Sequence, residues 1–82
     1  MPVNSYRIHY FGLLGDRRGL TEEKVSSNAI TAGELYQTLA ATHALGIQAQ
    51  HLRAAVNDEL VPWNHPLADG DQVAFLPPMS GG

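Results

Sequence analysis

The sequence predicts an α+β domain in which about five short strands form one sheet packed on a single main helix. One segment, Thr31 to Leu45, carries helix signals at both ends, and the apolar residues on either side of it alternate with polar ones at the period of half-buried strands. Scale is the third observation, since 82 residues make one small domain and leave no room for a second. Strands segregated around one helix exclude repeated βαβ units.

The first strand is predicted where Tyr6, Ile8 and Tyr10 alternate with Arg7 and His9, and Phe11 ends it before Gly12. Gly12 to Gly19 reads as a glycine-punctuated loop with a short helical turn, after which Glu23-Lys24-Val25-Ser26 forms a second, edge-type strand. Thr31 and Glu34 stand three apart as a capping box, with Ile30 and Leu35 as the hydrophobic staple around it. Leu35, Leu39 and His43 then share one helix face, flanked by Ala32 and Tyr36, and Gly46 after Leu45 supplies a left-handed stop. Leu52, Ala54 and Val56 alternate with Arg53 and Ala55 as a third strand, which Asn57-Asp58-Glu59 turns into a fourth at Leu60-Val61, shortened by Pro62. Trp63 closes the next loop over the core. Asp69-Gly70-Asp71 makes a further turn into a last strand carrying Val73 and Phe75, which Pro77-Pro78 terminates because neither proline donates to a ladder. Residues 1–76 are thus the folded body and residues 77–82 a flexible tail.

Composition removes several functional classes. The chain has no cysteine, which excludes a disulfide framework, a thiolate zinc site, a cysteine nucleophile and a cysteine-ligated iron–sulfur cluster. A net charge of -3 argues against nucleic acid as a partner. Apolar runs are too short to span a membrane and the polar start lacks a signal-peptide core, so the expected location is cytoplasmic. His9, His43, His51 and His65 have no metal-ligand spacing, and no metal is expected. The glycine loop is neither a dinucleotide nor a Walker pattern, and the serines lack a nucleophile elbow. Asp58-Glu59 and Asp69-Asp71 read as solvated turn residues, with an acidic rim that steers a basic partner as the alternative.

Specific information is concentrated at Phe75-Leu76-Pro77-Pro78-Met79-Ser80-Gly81-Gly82. At a typical glycine content of about 7%, a final glycine pair arises by chance roughly once in 200 chains. Two prolines pre-set an extended, low-entropy path, and six extended residues reach about 20 Å. Glycines without side chains suit a narrow channel. The functional group such an end would carry is the Gly82 carboxylate. It is a poor acyl electrophile until activated, for example as an acyl adenylate, after which sulfur in place of one oxygen gives a nucleophilic thiocarboxylate.

The stretches Leu52-Arg53-Ala54-Ala55-Val56-Asn57-Asp58-Glu59 and His65-Pro66-Leu67-Ala68-Asp69-Gly70-Asp71-Gln72-Val73-Ala74-Phe75-Leu76-Pro77-Pro78, together with Gly81-Gly82, closely resemble the MoaD family, the small subunits of molybdopterin synthase. Tyr10-Phe11-Gly12-Leu13-Leu14 and Glu22-Glu23-Lys24-Val25 resemble it too, so the likeness covers nearly the whole chain. It implies a β-grasp, ubiquitin-like fold. It also implies that Gly82 is adenylated by an E1-like enzyme resembling MoeB at the expense of ATP and converted to a thiocarboxylate. Sulfur then passes to cyclic pyranopterin monophosphate inside a MoaE-like large subunit, in a heterotetramer of two small and two large subunits. In that scheme the chain binds no cofactor and is not catalytic alone but is the sulfur-donating part of a sulfurtransferase. Phe75, Leu76, Pro77, Pro78, Met79, Ser80 and Gly81 are the partner-binding residues, and Gly82 carries the reacting atom. Two positions depart from the family pattern. Gly15-Asp16 stands where an Arg-acid pair is common, with Arg17 and Arg18 displaced by two, and Met79-Ser80 stands where smaller pairs are usual.

Two other readings share the Gly-Gly end: a ThiS-like sulfur carrier for thiamin thiazole and a ubiquitin-like modifier joined to target lysines. The double proline before the glycines favours the molybdopterin reading over the thiazole one.

Overall fold

The structure, a computed structural model, describes residues 3–77. The chain runs through β1 (Asn4–Tyr10), α1 (Leu13–Arg18), β2 (Glu22–Ser27), α2 (Ala32–His43), a 3₁₀ turn (Ala49–His51), β3 (Arg53–Val56), β4 (Glu59–Val61) and β5 (Gln72–Leu76). The five strands form one mixed sheet in the order β2-β1-β5-β3-β4, with β5 parallel to β1 and antiparallel to β3. This is the β-grasp arrangement that the sequence resemblance implied. The last strand among the described residues, β5, is the central one, so Pro77 leaves from the middle of the sheet. No helix among the described residues is long and apolar enough to cross a membrane.

Strand alternation divides the sheet into two faces. Tyr6, Ile8 and Tyr10 of β1, Ala54 and Val56 of β3, and Val73 and Phe75 of β5 are buried and cluster with Leu35, Tyr36 and Leu39 of α2. Register aligns them in rows, Tyr10–Phe75–Ala54 and Ile8–Val73–Val56. Each large side chain buried this way contributes about 1.5–3 kcal/mol.

The N-terminus of α2 is satisfied as the capping signal requires, with one shift. Thr31 Oγ1 accepts the Glu34 N–H at 3.1 Å, while the Glu34 carboxylate reaches past Thr31 to accept the Ile30 N–H at 3.0 Å. Two further first-turn donors meet the loop before β5, Ala32 N–H on His65 O (3.1 Å) and Gly33 N–H on Trp63 O (2.8 Å). The expected staple does not form, because Thr31 bridges Pro66 and Ile30 O accepts the Leu67 N–H (2.8 Å). That extended pairing buries Ala29 and turns Ile30 to solvent.

Several boundaries move. The left-handed stop of α2 falls at Ala44 (φ 50°, ψ 50°) rather than Gly46, with the N–H of the buried Leu45 bonded to Ala40 O at 3.1 Å. Holding an alanine there costs about 1–2 kcal/mol, which burial of Leu45 offsets. Gly46 is left-handed as well (φ 75°) and also serves a close approach. A Cβ there would stand 2.6 Å from the Arg17 guanidinium, which donates to Leu45 O at 2.8 Å. Leu52 is buried but precedes β3, because its N–H closes the 3₁₀ turn on Ala49 O (2.9 Å). The β3–β4 turn is the two-residue Asn57-Asp58, both left-handed (φ 52° and 72°), so Glu59 pairs with Val56 inside the hairpin.

The short helical turn expected in the glycine-punctuated segment is the six-residue helix α1, bound to the sheet by a polar cluster. Arg18 forks onto Glu23 through Nε (2.9 Å) and Nη2 (2.7 Å), Tyr10 donates its hydroxyl to the same carboxylate at 2.6 Å, and His43 Nε2 lies 4.0 Å away. Hydrogen bonding from Arg18 holds the Glu23 carboxyl below the usual range, and burial pushes the Tyr10 hydroxyl up. Because the folded carboxyl releases its proton more readily than the unfolded one, its stabilisation is complete above the unfolded value of about 4.3 and is lost as pH falls through the folded one. The melting temperature should therefore fall on acidification below about pH 4.3, and Glu23→Gln should flatten part of that fall. Calorimetric scans across the acid range check this; an unchanged acid slope in the variant would count against the cluster.

Candidate functional site

The residues singled out by sequence all belong to the end of β5 and the segment after it. Pairing along β5 turns Phe75 inward, level with Tyr10 and Ala54. Its ring is 0% exposed, edge-on to Tyr36 (centroids 5.1 Å, 65°), stacked on Trp63 (6.1 Å, 15°) and tilted against Tyr10 (6.5 Å). Its expected role as a partner-binding side chain is therefore corrected to a core one. Trp63 closes the loop over the core as expected. Leu76 and Pro77 are half-buried at the exit from the sheet, Leu76 in register with Arg53. Pro78, Met79, Ser80, Gly81 and Gly82 lie outside the described residues.

Beside this exit is a surface that sequence alone did not single out. The sheet face opposite α2 carries His9 of β1, Ala74 of β5, Ala55 of β3 and Leu60 of β4 in one cross-strand row. Phe11 continues β1 past its last paired residue, its N–H on Phe75 O at 3.3 Å, and its ring lies 6.5 Å from that of His9 at 22°. His9, Phe11, Ala55, Asp58, Gln72 and Ala74 line a depression of about 180 Å³. Phe11 is 45% and Leu60 65% exposed, a large apolar presence for one side of a small sheet. Two signals could have found this face. If Phe75 points inward, Ala74 and Leu76 must point outward, and a Leu in a three-residue edge strand has little core to enter.

The acidic turn residues have local work. Asp69 accepts the Ser5 N–H at 2.6 Å, and Asp71 accepts the Ala68 N–H at 2.8 Å and the Asn57 side-chain amide at 3.1 Å. Asn57 Oδ1 in turn accepts the Gln72 N–H at 3.1 Å, so the two turns fix the entry into β5. The departures in α1 also have a structural account. Gly15 is buried, and a Cβ there would come within 3.3 Å of Tyr10 O and 3.4 Å of Thr21 Cγ2, so position 15 faces the sheet. Arg17 and Arg18 are engaged inside the domain, on Leu45 O and Glu23. Among the described residues no three His, Asp or Glu side chains gather as a metal site.

A family model described as the ThiS family matches residues 8–82. The molybdopterin synthase sulfur carrier subunit of Escherichia coli (strain K12) is 38% identical over 79 residues, covering 93% of this chain and 98% of that one. Among solved structures, SAMP1 from Haloferax volcanii superposes with a TM-score of 0.78 at 25% identity, covering 96% of this chain and 100% of the other. A chain from the protein–protein complex of subunits 1 and 2 of molybdopterin-converting factor from Helicobacter pylori 26695 gives a TM-score of 0.65 at 30% identity, with coverages of 95% and 99%.

Proposed function

The chain belongs to the ThiS family, and from that premise we propose that it is the sulfur carrier subunit of a molybdopterin synthase. The observation that carries the reading is the position of β5: it delivers Leu76 and Pro77 to the edge of an uncovered apolar face, so one large subunit can cover that face and receive the tail. The likeness to a chain of the Helicobacter pylori complex of subunits 1 and 2 supports a large-subunit partner.

In this reading the Gly82 carboxylate attacks the α-phosphorus of ATP on an E1-like enzyme, releasing pyrophosphate. A sulfur nucleophile then displaces AMP from the acyl carbon, leaving a thiocarboxylate. Within the large subunit that sulfur bonds to a carbon of cyclic pyranopterin monophosphate as a carbon–oxygen bond there breaks and the oxygen leaves with a proton. Hydrolysis of the acyl–sulfur bond then returns the carboxylate and leaves the sulfur on the pterin. A dithiolene holds two sulfurs, so each pterin consumes two loaded carriers, which suits a heterotetramer of two small and two large subunits. The chain contributes the folded handle and the acyl end; pterin binding and proton transfers belong to the partner.

Intact mass spectrometry after incubation with ATP, the activating enzyme and a sulfur donor tests the reading. A mass gain equal to sulfur for oxygen is expected, and its loss on adding cyclic pyranopterin monophosphate and the large subunit. Sulfur loaded but never passed to the pterin would favour a thiazole-type carrier, and conjugates to lysines a modifier. The docking face has its own test. Leu60→Asp or Phe11→Ser should weaken binding to the large subunit by about tenfold to a hundredfold, measured by titration calorimetry. Stability should change by no more than about 0.5 kcal/mol, because neither side chain is in the core.

A further inference from the structure

Gly12 joins β1 to α1 and meets the root of the tail. Its backbone sits at φ 59°, ψ −133°, a region essentially reserved for glycine. A Cβ built there would lie 3.0 Å from Pro77 Cγ, with Pro77 Cδ and Cβ at 3.8 and 3.9 Å. The proline ring therefore occupies the space that a side chain at position 12 would take. We propose that Gly12 is a positioning residue, which by accepting the Pro77 ring sets the direction in which the chain leaves the sheet; the inference rests on the sulfur-carrier reading above.

Both sides of this contact are held. Phe11 N–H on Phe75 O (3.3 Å) keeps the loop beside the end of β5, and the proline ring fixes its own φ while biasing Leu76 to an extended backbone. On the other side, Gly12 O accepts the Gly15 N–H (3.0 Å) and Phe11 O the Leu14 N–H (3.2 Å). Leu14 is fully buried, and Arg17 and Arg18 tie the far end of α1 to Leu45 O and Glu23. The support under Pro77 is thus anchored at separate points of the fold. Direction matters because of leverage. Five residues beyond Pro77 span up to about 17 Å when extended, so a tilt of about 10° at the root moves the end by about 3 Å. A misplacement of about 1 Å can already lower a rate a hundredfold.

The test compares wild type, Gly12→Ala and Pro77→Ala, each loaded chemically by hydrosulfide thiolysis of a C-terminal thioester so that the activating enzyme does not enter. Affinity for the large subunit and the single-turnover rate of sulfur transfer at saturating large subunit are read separately, with a melting curve for each protein. Gly12→Ala should lower the transfer rate about tenfold to a hundredfold with affinity within about twofold of wild type. Pro77→Ala, at a position also expected to touch the large subunit, should lower the transfer rate at saturation more mildly whatever its affinity, and the double variant should fall less in rate than the product of the two, since both act on one contact. A general weakening of the fold would move the melting curve and the affinity together instead. If Gly12→Ala does not fold, Pro77→Ala decides alone, and a wild-type rate there overturns the proposal. A wild-type carrier that transfers no sulfur overturns the functional reading itself and the proposal with it; a competent wild type matched by Gly12→Ala overturns the positioning role only.

Discussion

Removing Gly82, or extending the chain past it, is expected to reduce sulfur transfer to background while leaving the melting temperature unchanged. The carboxylate at position 82 is the acyl group that activation and sulfur loading require in the proposed mechanism, and an amide in its place cannot be adenylated. The fold should not notice, because among the described residues the last core side chain is Phe75 and the last paired strand residue is Leu76. Transfer assays beside calorimetry of the deleted and tagged proteins make the comparison. A tagged protein with full activity, intact by mass, would remove the terminal acyl mechanism.

The second large effect is on stability. Phe75→Ala should destabilise the domain by about 3–5 kcal/mol, since it empties the space between Tyr10, Tyr36 and Trp63. At about 0.05–0.15 kcal/mol per residue, an 82-residue chain holds roughly 4–12 kcal/mol, so this is a large share of the whole. The melting temperature should fall by on the order of 20 °C, or the variant should fail to fold. Were Phe75 a docking residue, as the sequence alone suggested, the melt would hold and only affinity for the large subunit would drop. Thermal melts beside a binding titration separate the two, with Leu76→Ala as the half-buried neighbour that should lose little stability.

That reversal shows what kind of information the chain carries openly. Period and punctuation were legible: the alternation of Tyr6, Ile8 and Tyr10, the Thr31–Glu34 cap and the Asn57-Asp58 turn each reflect interactions between residues near in sequence. The inward direction of Phe75 was less so, because a strand of alternating apolar residues has two faces and only its neighbours decide which is covered. Ile30 failed as a staple for a similar reason, since a bridge from Thr31 to Pro66 set its direction. The helical turn expected between Gly12 and Gly19 owes its place to Arg18 and Glu23 meeting across the α1–β2 turn and to Arg17 reaching Leu45, 28 residues away. At the site, the end of β5 before the two prolines was legible from composition, whereas the face formed by His9, Ala74, Ala55 and Leu60 exists only once four strands are in register.

The central position of β5 has a mechanical consequence. A tail drawn into a partner's channel pulls along the axis of a strand bonded on both sides, to β1 and to β3. Such a load shears many hydrogen bonds at once instead of peeling them away singly, as it would from an edge strand like the three-residue β4. In the proposed reading, a domain held this way can be gripped beyond β5 and passed from one enzyme to the next without coming apart.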